Sequence, residues 1–290
     1  MAIDSHQITD LALAVTLVAT GLLAGLQADS HPRTWLADRR WLGSALLINL
    51  LLYPLAAAAI ATMVGLDPAA RTGFVVVAAC AGGILGLIVT RIAGADVERA
   101  VAAVVVLELL NLVSVPLWTT LLLSATAPVS IPDVLRTLVL MLLAPVAIGW
   151  VVGRRRGTLV PGLVRILRPM SSVALLVVVG GVLRDNIDPF LEALGSGLPL
   201  AGVALLGVGL GAGWIAGGPT PVGRRTLAMV TAGHSTALAL AVARSAFGHE
   251  HGVEASIAVL GLIGLIVPIG AALVLRAAGR TDLPVAPAGS

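Results

Sequence analysis

Glu108 carries the most reactive chemistry in the chain, because it lies inside VVVLELLNLV, a stretch apolar enough to be buried on every side. A carboxyl at such depth is costly and ordinarily serves an ion or proton pathway. Helix neighbours recur at three and four residues, so Ala100, Val104, Glu108 and Asn111 share one face of that segment. A second polar group, Thr231-Ala232-Gly233-His234-Ser235-Thr236, interrupts another apolar run. His234 offers an imidazole for proton relay or for donation to a solute carboxylate, or else a neutral ring that satisfies freed backbone carbonyls. Thr231, Ser235 and Thr236 offer hydroxyls that bind solute oxygens or bond their own backbone. A glycine-rich counterpart, Cys80-Ala81-Gly82-Gly83-Ile84-Leu85-Gly86, breaks a third run. Glu108, with Asn111 and with Asn49 or His234, is expected to form a coupling site for a proton or, second in order, for sodium. The alternative is a glutamic acid hydrogen-bonded within the bundle.

The elements that must hold these residues are membrane helices. Of the 290 residues 58% are hydrophobic and 11% charged, against about 25% charged in an ordinary soluble domain, and mean hydropathy is +1.03. All 18 basic residues are arginine. The pI of about 10.3 does not point to nucleic acid, because the arginines sit in short connections between apolar runs with no interleaved aromatics. One cysteine, Cys80, excludes an internal disulfide. Runs near 20 residues, the length that crosses a bilayer, fall at 9–27, 42–64, 70–91, 96–122, 133–153, 166–184, 190–216, 222–247 and 253–276. The first lacks a basic leader and reads as a retained helix. Residues 1–278 thus form a single transmembrane domain, and 279–290 are expected to be a disordered cytoplasmic tail. Assigning alternate connections to one side collects 14 of the 18 arginines there, Arg154, Arg155 and Arg156 among them, and leaves Arg71, Arg136, Arg184 and Arg244 opposite. That asymmetry predicts an odd helix count in a cell inner (plasma) membrane, with the N-terminus outside and the C-terminus cytoplasmic.

The third and eighth runs are the two broken ones. Five helices separate them in order, so they run in opposite directions. An inverted repeat of 9–122 and 133–276, missing one helix, produces this arrangement, and matched breaks mark a midplane binding site. Gly82, Gly83, Gly86 and Gly233 are expected to let the two breaks cross, where any side chain would hold the backbones apart.

At these segments the chain resembles the bile acid:sodium symporter family. The family's first crossing carries Cys-Pro-Gly-Gly-Thr-x-Ser-Asn, then Gly-Asp-Val after about eight residues, then a helix ending in Pro. Here CAGGILGLIVTRIAGADVERAVAAVVVLELLNLVSVPL keeps Cys80, Gly82, Gly83, Thr90, Asp96, Val97 and Pro116. Asn49 before Pro54 matches a family glutamine, and TAGHSTALAL matches the second crossing more weakly. The resemblance implies an all-α membrane protein of about nine transmembrane helices, with a panel rocking against a core that holds the crossings. It also implies a small organic anion as solute. The positions that hold sodium in the family read Gly86, Leu87, Ala100, Val104, Thr231 and Ser235, so its sodium sites look dismantled, since a hard cation needs several oxygen ligands.

The expected partners are therefore a small solute and the lipid bilayer, with no nucleic acid and no cofactor beyond a coupling proton or Na⁺. No HExxH, GxSxG or paired acidic motif supports an enzyme. A non-transporting ligand sensor, a uniporter and an exporter stand as alternatives. Arg244 lies about 15 Å beyond the second break at 1.5 Å per residue; it either attracts an anionic solute or snorkels to the interface. Asp96, Glu98 and Arg99 are expected to cap the fourth helix.

Overall fold

The computed structural model describes residues 5–27, 38–123 and 130–281. Every regular element among them is helical: α1 (Ser5–Gln27), α2 (Arg39–Val64), α3 (Pro68–Ala79), α4 (Ile84–Ile92), α5 (Val97–Leu123), α6 (Ile131–Arg155), α7 (Gly157–Asp185), α8 (Ile187–Gly195), α9 (Leu198–Ala216), α10 (Pro221–Ala232), α11 (Thr236–Phe247) and α12 (His251–Thr281). Eight spans are continuous enough to cross a bilayer when α10–α11 is taken as one. The bent pair α3–α4, turned by 69°, makes the ninth.

The predicted seventh span proves to be two elements. Ser196 ends α8, its hydroxyl accepting from Leu198 N as α9 begins, so only Leu198–Ala216 crosses. The last helix continues to Thr281, into the stretch expected to be tail; residues 282–290 lie outside the described residues, as does Arg33.

Proline shapes the helices that matter. Pro54 has no N–H to give the carbonyl of Leu50, and the chain answers with a π-helical stretch, Ile48–Leu52. The released carbonyl accepts from Trp118 Nε1 of α5 at 2.7 Å. Pro145 is preceded by the same device, Val139–Leu143. Pro68 and Pro221, 153 residues apart, each open a helix of 12 residues that ends in a break. Each start is capped from the preceding residue: Asp67 accepts from Ala69 N and Ala70 N, and Thr220 accepts from Gly223 N. Pro116 and Pro268, 152 apart, lie inside the helices that follow each broken pair.

The helices group into two bodies. α1 packs along α6 and α7 to form a panel, while α2, α3–α4, α5, α9, α10–α11 and α12 pack on one another as the core. In lipid the contact area itself supplies little driving force, so close van der Waals approach through small residues does. Gly25 of α1 faces Gly149 of α6, with Gly21 set against Pro145 and Gly153 against Leu26: a Cβ on Gly25 would overlap Val146 O, and one on Gly149 would overlap Leu22 O.

Candidate functional site

Both broken spans stop at mid-bundle, and the breaks meet. The α3–α4 break is Cys80–Gly83 and the α10–α11 break Gly233–Ser235. Ser235 N donates to Cys80 O at 3.1 Å, the one direct backbone bond between the two breaks. A Cβ on Gly233 would overlap Gly86 Cα and N. Gly83, at φ 151° and ψ 152°, holds a backbone shape open to glycine alone, and Gly82 is at φ 80°. Gly86 differs from the other three: a Cβ there would find its nearest atom, Gly233 Cα, at 3.5 Å, an ordinary contact. Three of the four expected glycines are thus required by space or backbone, and the fourth has room.

α5 serves the first break. Asn111, fully buried, donates from Nδ2 to Ala81 O at 2.7 Å and so satisfies a carbonyl the broken helix leaves free. Ser114 Oγ lies 3.5 Å from Asn111 Oδ1. Glu108 turns to the same break: its Cγ lies 3.4 Å from where a Cβ on Gly82 would stand, beside Val104 O. Glu108 is buried and its Oε2 has no hydrogen-bond partner among the described residues. Ala100 and Val104 pack with Ala81 in one apolar cluster, so the face shared by Ala100, Val104, Glu108 and Asn111 is the face that meets the crossing. Asp96 caps α5 by accepting from Arg99 N at 3.1 Å, and its own N–H donates to Thr226 Oγ1 of α10.

The second break has other partners. Asn49, in the π-helical part of α2, donates from Nδ2 to Ala45 O at 2.8 Å and to Thr231 Oγ1 at 3.3 Å, while its Oδ1 is buried without a partner. Thr231 Oγ1 donates back to Leu227 O at 2.9 Å. Ser235 caps α11 by accepting from Leu238 N at 3.3 Å. His234 stacks on Tyr53, ring centroids 4.0 Å apart and planes 16° from parallel. Both of its ring nitrogens are buried without a hydrogen-bond partner among the described residues. Beside this stack lies a cavity of about 30 Å³, enough for a water or two, lined by Tyr53, Phe74, Leu85, Leu205, Leu260 and Thr236 among others.

The expected cluster is therefore divided. Glu108 and Asn111 belong to the first break, Asn49 and Thr231 to a contact between α2 and α10, and His234 to Tyr53. No hydrogen bond among the described residues joins Glu108 to Asn49, Asn111 or His234. Tyr53 and Trp118 are additions. Tyr53 lies four residues after Asn49, on the same helix face, and is the one tyrosine in the chain; that spacing was its signal. Arg244 is not a free cation waiting for solute, because Glu254 and Asp10 hold it.

The spans among the described residues, nine with α3–α4 taken as one, whose two broken members cross at mid-bundle with buried polar side chains turned to the breaks, have the architecture of a membrane transporter. The chain belongs to the sodium bile acid symporter family, whose model matches residues 12–193. The match takes in the first crossing and Glu108 and ends within α8, ahead of the second crossing. Comparison with curated proteins gives no match.

Proposed function

We propose that this protein is a secondary transporter that moves a small organic, anionic solute by alternating access and couples it to protons through Glu108. The panel α1, α6, α7 rocks against the core, and the crossing faces one side of the membrane and then the other. The arginine-rich ends of the spans are cytoplasmic and the N-terminus is outside, in the plasma membrane.

One observation carries the coupling: Glu108 is the buried acid at the first break, and its Oε2 is unbonded. Oxygens for sodium are scarce around it. Gly86, Leu87, Ala100 and Val104 offer no side-chain oxygen, Thr231 Oγ1 is engaged by Leu227 O and Asn49, and Ser235 Oγ caps α11. A cation that must exchange its hydration shell for several ligands is poorly served there; a proton needs a single acceptor.

The test is thermal stability of the purified protein across pH and sodium concentration, for the parent and Glu108→Gln. A ligand bound only by the folded state raises the midpoint with the logarithm of its concentration. A pH-dependent midpoint that ignores sodium and vanishes in Glu108→Gln supports the proposal. A sodium-dependent midpoint lost in the variant replaces the proton with sodium, and indifference to both ions leaves a uniporter or a sensor. Bile acid uptake into liposomes then separates transport from binding without flux.

A further inference from the structure

Every charged side chain that joins the panel to the core in the described contacts lies at the end of the bundle away from the arginine-rich connections. Arg244, near the end of α11, presents a fork to Glu254 in the first turn of α12: Nε to Oε1 and Nη2 to Oε2, both at 2.8 Å. Both groups belong to the core and both are buried, with side chains 10% and 4% exposed. The remaining arm, Nη1, reaches Asp10 Oδ1 of α1, which belongs to the panel and is 47% exposed. His249, in the α11–α12 connection, places Nδ1 3.2 Å from Glu254 Oε1 and Nε2 4.0 Å from Asp10 Oδ2. A second tie lies close by, His251 Nδ1 to Asn186 Oδ1 at 2.6 Å, joining α12 to the end of α7. Beneath these contacts one apolar cluster spans both bodies, including Leu13 and Leu17 of α1, Val182 of α7, Val242 of α11 and Ile257 of α12.

We propose that Asp10 is the latch, and the Arg244–Glu254 pair the keeper, of a gate that holds this end of the transporter shut. The inference rests on the transport reading above. A bidentate arginine–carboxylate pair buried within one body stays together, because either partner alone would be an uncompensated charge. A half-exposed carboxylate on the other body can exchange arginine for water at little cost. Opening the bundle at this end separates α1 from α11, so Asp10 must give up Arg244 and His249, and the smaller His251–Asn186 tie parts with them. The keeper remains neutral as a pair when these contacts break, so the open state strands no charge in the membrane.

The test places a cysteine at Leu13→Cys, beneath the latch, and measures its rate of modification by a membrane-impermeant maleimide added to vesicles of each orientation. Wholly buried Cys80 serves as the internal reporter of folding. Asp10→Asn should speed labelling from the Asp10 side at least about fivefold, the range of a modest conformational coupling, with Cys80 still protected. Asp10→Glu should keep the slow rate, as should Glu250→Gln, an exposed neutralisation outside the cluster. In the protein that retains Asp10, raising the salt concentration should speed labelling too, since screening reaches an exposed contact far more than a buried one. An unchanged rate in folded Asp10→Asn overturns the gate; if that variant exposes Cys80, the salt response decides in its place. Because labelling reads opening and not flux, a gate that responds in a protein that moves no solute would refute the transport reading alone.

Discussion

Replacing Gly233 by alanine should drive the two crossings apart, whereas replacing its neighbour across the crossing, Gly86, should not. Gly233 has φ −95° and ψ 72°, which alanine tolerates, so space is the obstacle. The new Cβ would fall on Gly86 Cα and N, backbone atoms that cannot rotate aside. Restoring van der Waals distance requires α4 and α10 to separate by roughly 1 Å, and the Ser235 N to Cys80 O bond, now 3.1 Å, would pass beyond hydrogen-bonding reach. Overpacking of this kind costs about 1–3 kcal/mol, and a stranded buried carbonyl about 1–3 kcal/mol more. For Gly86→Ala the nearest atom is at 3.5 Å, and the gain in helix propensity is about 1 kcal/mol, so stability should hold or rise. The assay is thermal unfolding of both variants beside Gly264→Ala, where a Cβ meets nothing within 4 Å. Equal losses at 86 and 233, or none at 233, would refute the steric argument.

Asn111→Leu should leave Ala81 O without its donor and lower stability by about 1–3 kcal/mol, read as a drop in the unfolding midpoint. Trp118→Phe should cost about 1 kcal/mol through the carbonyl of Leu50. Most of that cost should disappear in a Pro54→Ala background, where the helix can take the carbonyl back; a double-mutant cycle measures the coupling.

The two breaks were legible because glycine and polar residues interrupt long apolar runs, a contrast carried by composition along one strand of text. The shared face of Ala100, Val104, Glu108 and Asn111 was legible for a similar reason, since helical spacing is local. What lay beyond reach was pairing across the fold. Asn49 and Thr231 are both polar at matching depth, yet which carbonyl or hydroxyl each meets depends on a π-helical turn in α2 that spacing alone does not reveal. Arg244 could be placed near an interface by counting rise, but Asp10 stands 234 residues away from it, and nothing near either residue announces the other. The close contact of α1 and α6 at Gly25 and Gly149 did carry a signal, small residues four apart at 21 and 25 and again at 149 and 153, which identifies a close helix pair once the partner is known.

The backbone bond between the crossings also sets an order of events while the chain is being made. Cys80 and Ser235 are 155 residues apart in sequence, so at about 5–20 residues per second the first break waits roughly eight to thirty seconds for its partner. Ala81 O finds Asn111 within its own half, but Cys80 O depends on Ser235 N from the other half. An unpaired backbone carbonyl in hydrocarbon costs several kcal/mol. The newly made α3–α4 span therefore has to shelter its break in water or against the insertion machinery until α10 and α11 emerge, and a chain cut after α5 would have no route to the native crossing.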